Sequence, residues 1–354
     1  MPSFNGPSRR SFRSSRSLRM AVCAAVMMCT AALTASAAEP EKFNLTVQPG
    51  SVINVLIEVA TKEGFWKANN LDPQFIVAQN GPAAIQALAS GSVDVAANAP
   101  ENFLPLVAKG IELQAFCGQN LQVFSLFASK AFDAGHAAYP DLVRRLKEKK
   151  IGVTAPGSAS YYTTVYLLKA AGLKPDDVQS VSYSSVGGAT AAFETSQIDA
   201  GIINQPSVFI LLHDHKGQEL LDLTKTGEPA SISGIPQIAM WARTPWIKSH
   251  PTIIAGIRRA MAQADVFIHD PKNLAVAKEI IGTELPKGYD DATITKYVEE
   301  NLSNIDSTFP LSAMAAWVKF DVEVGALAKP LDAESLLTPG TPATHDDIKH
   351  LAGD

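Results

Sequence analysis

Apolar and polar positions alternate from Phe43 to Gln48, the period of a half-buried strand. Pro49-Gly50-Ser51 turns the chain, and over residues 55–66 the apolar spacing becomes that of a helix. The same change recurs down the chain. Strands are predicted at 75–78, 93–97, 113–118 and 123–128, with helices at 82–89 and 101–108 between them. Strands that alternate with helices predict a mainly parallel sheet covered on both faces. A low-order stretch at 133–140 marks a first crossing between lobes, after which the pattern restarts. It gives a helix at 142–149, a strand at 151–154 and a helix at 160–171 stopped by Gly172. Segments 178–183, 189–194, 200–203 and 206–213 continue the alternation. Residues 226–236, rich in Gly, Ser and Pro, predict the return crossing. One strand (238–242) and helices at 251–269, 271–281, 290–302 and 312–324 follow, punctuated by Pro271, Pro286 and Pro310.

Two stretches say nearly the same thing. Ala87-Leu88-Ala89-Ser90-Gly91-Ser92-Val93-Asp94-Val95 leads to Asn98-Ala99-Pro100, and Ala192-Phe193-Glu194-Thr195-Ser196-Gln197-Ile198-Asp199-Ala200 leads to Asn204-Gln205-Pro206. The interval is too long for a solenoid repeat and suits two similar α/β lobes. Lobe one is expected over 38–132 plus 237–330, lobe two over 133–236, and a loosely docked tail over 331–354.

Composition adds a compartment. Residues 1–19 carry five Arg and no acid, 20–33 are apolar, and Ala35-Ser36-Ala37 is a small-residue cleavage site. That is the pattern of a secretory signal peptide over 1–37. Ser8-Arg9-Arg10-Ser11-Phe12 also fits a twin-arginine signal, although its apolar run starts late. Cleavage would leave 25 basic against 35 acidic side chains, a balance of −10 that disfavours nucleic acid. Cys117 would then be the sole cysteine, which excludes an intrachain disulfide.

Candidate chemistry sits where strands end. In Thr154-Ala155-Pro156-Gly157-Ser158-Ala159-Ser160-Tyr161 a strand stops, Pro-Gly turns, and small hydroxyl residues open a helix. Free N–H groups at such a helix start favour a polar or anionic ligand, though Ser158 or Ser160 can equally serve as a cap. Gly187 and Gly188 allow a close backbone approach. Asn98, Asn204 and Gln205 lie at strand ends, Gln119, Asn120 and Gln237 near crossings, and Ser51 and Asn54 follow the first strand. Asp94 and Asp199 lie at strand starts, away from this group, and read as structural. The candidate loops hold no Arg or Lys, so a weakly charged or neutral ligand fits as well as an anion. No Gly-x-Ser-x-Gly elbow, phosphate loop or His-Glu-x-x-His is present. His213 and His215 do not share a helix face and make no metal pair.

Gly64-Phe65-Trp66 with Asn70-Leu71-Asp72-Pro73, the Ala87–Val95 element, Gly157-Ser158 before a helix, Gly172-Leu173, and Phe193 to Asp199 before Pro206 together carry a family resemblance. Over residues 43–270 the chain resembles the substrate-binding proteins of ABC importers, in the alkanesulfonate, taurine, nitrate and thiamine-pyrimidine-precursor group. The resemblance implies a type II periplasmic-binding-protein fold: two α/β lobes, two hinge crossings, and a C-terminal helical segment packed on lobe one. It implies ligand contacts on the loops beginning at Ser51, Asn98, Thr154 to Tyr161 (with Ser158 and Ser160), Gly188 and Asn204; Asn54, Gln119 and Gln237 join them by their positions after the first strand and near the crossings, and no catalytic residue, cofactor or metal is expected. Its implied setting is a periplasmic monomer that hands a small molecule to a permease and its ATPase. Asn70 replaces the usual Gly, and Asn204-Gln205-Pro206 lacks the acidic residue common before that Pro. An enzyme on the same fold, or a ligand-sensing subunit, is the alternative.

Overall fold

The structure is a computed structural model that describes residues 1–3, 6 and 39–353. The arginine pair, apolar run and cleavage site of the predicted leader lie outside the described residues. Among those described, no helix is long and apolar enough to cross a membrane.

The strands in chain order are β1 (Glu41–Val47), β2 (Leu71–Val77), β3 (Val95–Asn98), β4 (Leu113–Leu121), β5 (Phe124–Ser129), β6 (Lys150–Val153), β7 (Gln179–Ser182), β8 (Ala200–Asn204), β9 (Gly217–Asp222) and β10 (Pro236–Arg243). They form two five-stranded sheets, ordered β2-β1-β3-β10-β4 and β7-β6-β8-β5-β9. In each, three parallel strands with the first-formed at their centre meet one antiparallel strand, which pairs in turn with the edge. The central parallel strands β3 and β8 are buried throughout, as their apolar runs require. The main helices are α1 (Val55–Lys62), α2 (Gly81–Ser90), α3 (Pro100–Val107), α4 (Ala159–Ala170), α5 (Val186–Glu194), α6 (Ser207–His213), α7 (Pro251–His269), α8 (Leu274–Ile281), α9 (Asp291–Leu302), α10 (Leu311–Val324) and α11 (His345–Ala352).

The two similar stretches do the same mechanical work. α2 starts on the Asn80 side chain, which accepts the Ala83 N–H, and stops at Gly91 with φ +81°. After α5, Ser196 takes the matching left-handed turn at φ +55°. Asp94 then accepts the Asn44 N–H at 2.8 Å, and Asp199 accepts the Lys150 N–H at 2.8 Å. Each carboxylate thus fixes its own strand to the first parallel strand of its lobe.

Four expectations change. Residues 123–128, expected in lobe one, are β5 of the second sheet, so the first crossing lies at Gln122-Val123 and not near 133. Periodicity marks a strand but does not say which sheet receives it. The helix expected at 142–149 is a single turn, Asp141–Arg144, and Glu148 sits at φ +64°. β9 replaces a segment that carried no strand signal, held as an edge by pairing with β5 alone. Residues 331–353 are firmly docked. Leu336 and Ile348 are buried, Thr338 N–H reaches Ala115 O at 2.9 Å, and Arg258 donates to Phe116 O at 2.8 Å and Pro339 O at 2.9 Å. Long-range side-chain donors, Arg258 and Gln114, and the packing of α11 on α7 hold this segment, and composition does not reveal them.

Asp94→Ala and Asp199→Ala should each cost about 1–3 kcal/mol, the range for a hydrogen bond to a charged group and its loss, measured by urea or thermal melts. Asparagine retains the acceptor oxygen and should recover most of that loss. Equal losses for Asn and Ala would show that the backbone bonds are not the source.

Candidate ligand-binding site

The lobes join through two crossings that run side by side. Gln122 N–H donates to Ile235 O at 2.8 Å, linking the first crossing to the second. The Gln122 side-chain oxygen accepts the Val123 and Phe124 N–H groups at 3.0 and 3.2 Å, so the first crossing closes on itself.

In front of the crossings, the carboxyl ends of β1, β3, β6 and β8 face a common cavity, the position where open α/β sheets bind ligands. Lobe one lines it with Gln48, Ser51, Gly81, Asn98 and Asn102, and lobe two with Thr154, Ser158, Ser160 and Asn204. Val123, Phe124 and Ile238 form the floor at the crossings. The void measures about 40 Å³ for water-sized occupants.

Six expected residues meet here: Ser51, Asn98, Thr154, Ser158, Ser160 and Asn204. Five do not line the cavity. Asn54 is bonded to both backbone groups of Gln48, at 3.2 and 2.5 Å, and so holds the loop that presents Gln48. Gln119 donates to Gly118 O at 2.9 Å. Tyr161 packs edge-on against Tyr162, centroids 5.5 Å apart. Gly188 is glycine for packing, since a Cβ there would overlap the Tyr183 carbonyl. Gln237 donates to Glu101 at 2.8 Å.

Sequence reasoning missed Gln48, Gly81 and Asn102. Asn102 follows Asn98 by four residues at a helix start, a spacing that could have suggested it. Its Nδ2 donates to Asn98 Oδ1 at 2.5 Å, and Ala99 N–H reaches the same oxygen at 2.9 Å. This fixes both amide orientations and leaves Asn98 Nδ2 and Asn102 Oδ1 buried without partners. Gly81 makes room for the pair, since a Cβ there would lie 2.6 Å from Asn102 Nδ2.

The α4 start is organised differently. Ser158 accepts the Tyr161 N–H at 3.3 Å and lies 2.9 Å from Ser160 Oγ. Ser160 donates to Thr154 at 3.0 Å, Thr154 to Tyr183 at 3.0 Å, and Tyr183 to Ile202 O at 2.9 Å. The hydroxyl donors from Ser160 to Tyr183 are therefore spent within the protein. With the Tyr161 N–H taken by the Ser158 cap, the groups left for a guest are the Ala159 and Ser160 amides, at the positive end of the helix. Burial pushes the Tyr183 phenol up to about 12, so the relay stays neutral. No lining residue carries an ionisable side chain. Away from the cavity, burial also raises the Cys117 thiol to about 12, which keeps it unreactive.

Residues 36–282 match the NMT1-like family. The chain belongs to the NMT1-like family. A relative in Brucella abortus, named as a candidate binding protein, is 30% identical over 231 residues, 63% of this chain and 67% of that one. A solved structure from Bordetella bronchiseptica RB50 superposes with a TM-score of 0.71 at 26% identity, covering 88% of this chain and 97% of its own. The alkanesulfonate-binding protein of Xanthomonas axonopodis pv. citri, solved with MOPS bound, gives 0.65 at 19% identity over 84% and 99%, a likeness of fold. This NMT1-like chain thus has the type II periplasmic-binding-protein fold that the family resemblance implied, with helices in its C-terminal region.

Tyr183→Phe should leave the fold intact but destabilise it by about 1–3 kcal/mol, because Ile202 O and Thr154 Oγ1 lose their partner in a buried site. A thermal melt unchanged by the substitution would show that the relay does not hold the α4 start.

Proposed function

We propose that this chain is an exported solute-binding protein. It captures a small organic molecule, a sulfonate, carboxylate or nitrogen-containing compound, between its lobes and delivers it to an ABC importer's permease and ATPase in the periplasm. The observation that carries this reading is the uncharged polar cavity shared by the strand ends of both lobes and floored by two adjacent crossings. The void of about 40 Å³ is tight for an organic ligand in this conformation. Entry therefore requires the lobes to part, and binding to bring them together around the guest. The Ala159 and Ser160 amides at the helix start, Asn98 Nδ2 and Asn102 Oδ1 are the groups a ligand would pair, which ties affinity to how fully the guest satisfies them. Ser51, Asn204 and Gln48 complete the polar wall, while Ser158, Ser160 and Thr154 position the helix start. Acid–base catalysis lacks its parts here, since no lining side chain titrates.

A thermal-shift screen tests the reading on protein stripped of carried-over ligand by unfolding and refolding. The panel holds sulfonates, taurine, carboxylates, nitrate and pyrimidines. A ligand at 1,000 times its dissociation constant adds about 4 kcal/mol to native stability, so one class should give a saturable upward shift. The double variant Ser158→Ala, Asn204→Ala should remain folded and lose most of that shift. A flat response to every class would count against a receptor, and an undiminished shift in the double variant would move the site elsewhere.

A further inference from the structure

Behind the cleft, α10 touches both lobes. Trp317 Nε1 donates to Pro236 O at the return crossing, at 2.7 Å. On the lobe-two side, Phe320 stacks on Tyr166 of α4 with centroids 5.0 Å apart, and Lys169 Nζ donates to Glu323 O at 2.9 Å. Between these contacts α10 buries Asp321 and α3 buries Glu101, both at 0% exposure. Both Asp321 oxygens and Glu101 Oε2 have no hydrogen-bond partner. Glu101 Oε1 accepts from Gln237 Nε2 at 2.8 Å, and Gln237 Oε1 accepts the Val123 N–H at 3.4 Å. One side chain therefore links the acid pair to both crossings.

No cation offsets the pair. α2 contributes no ionisable side chain, and α4 contributes Tyr161, Tyr162, Tyr166 and Lys169, the last committed to Glu323 O. β10 carries only Arg243, whose guanidinium lies beside Gly91. On α10 itself, Lys319 and Glu323 pair with each other at 3.7 Å, and Glu334 of the following turn is exposed. Two buried carboxyls without a cation cannot both ionise cheaply.

We propose that Glu101 and Asp321 form a proton switch behind the hinge: a proton held between the two carboxyls keeps α10 seated on α3 and braced against α4, and its release to solvent unseats α10 and frees lobe two to swing. Burial raises Glu101 to about 7, while burial and then the Glu101 charge raise Asp321 to about 9. A carboxyl whose pKa is raised by folding binds its proton more tightly in the native chain. Native stability therefore falls as pH climbs from about 4, the unfolded value, through about 9.

The proposal rests on the hinge motion of the proposed function, but its readouts need no ligand, so a failed screen and a failed titration are separate results. Melting temperature and radius of gyration would be followed from about pH 6 to about pH 9.5 for the wild-type chain, Asp321→Asn and Glu101→Gln. His269 and buried Glu284 also titrate in this range and remain in every variant, so the difference between curves is the signal. The expected result is a melting difference that already favours Asp321→Asn at the acid end and widens by several degrees towards the alkaline end, with only the wild type expanding. Parallel melting curves, or a wild-type radius independent of pH, overturn the switch. If Asp321→Asn does not fold, carbon-13 spectra of labelled aspartate in the wild type decide. A carboxyl titrating near pH 9 is expected, and aspartates that all titrate in the ordinary range overturn it.

Discussion

The bond from the Gln122 amide to the Ile235 carbonyl, 2.8 Å long, holds the two crossings together. Because the crossings are adjacent, the lobes can rotate about one line without shearing apart. The strand ends on either side of that line must then face each other. The polar loops after β1, β3, β6 and β8 consequently converge on one cavity, and no further element is needed to bring them there. The Gln122 side-chain oxygen, accepting two amides of its own crossing, keeps that backbone paired where no strand partner is available.

The internal repeat explains why both lobes offer the same kind of wall. Asp94 and Asp199 pin equivalent strand starts, and Gly91 and Ser196 make equivalent left-handed turns. Asn98 and Asn204 then arrive at equivalent strand ends. The lobes differ in how they prepare the cavity. Lobe one leaves amide atoms unpaired, whereas lobe two spends most of its hydroxyl donors on a relay that fixes a helix end. One wall thus supplies side-chain donors and acceptors, and the other supplies main-chain N–H groups.

The fold and half of the expected site were legible because they depend on local pattern. Alternation found most strands, the turn residues found α2 and α4, and the position of Ser51, Asn98, Thr154, Ser158, Ser160 and Asn204 at strand ends followed from the α/β rule. What was not legible depends on pairing across long intervals. The sheet that receives β5 is decided by β8 and β9, far downstream. Gln119 and Gln237 looked like crossing residues open to a ligand, but one bonds to a neighbouring carbonyl and the other to Glu101. Gly188 was expected to approach a ligand, yet the glycine that lines the cavity is Gly81. The close contact at Gly188 is with the protein's own Tyr183 carbonyl.

The placement of β10 also governs how the chain can fold. Lobe two is one continuous segment from β5 to β9, so its sheet can be completed locally. The first sheet cannot. β3 and β4 each lack their shared partner until β10 arrives, and β4 ends at Leu121 whereas β10 begins at Pro236. In a chain made from the N-terminus, both strands present open edges while the whole second lobe is being synthesised. Such edges are templates for pairing with other chains, and their closure waits on a contact of long sequence separation. The same interleaving that sets two hinges side by side therefore makes lobe one the slower and more aggregation-exposed half during biogenesis.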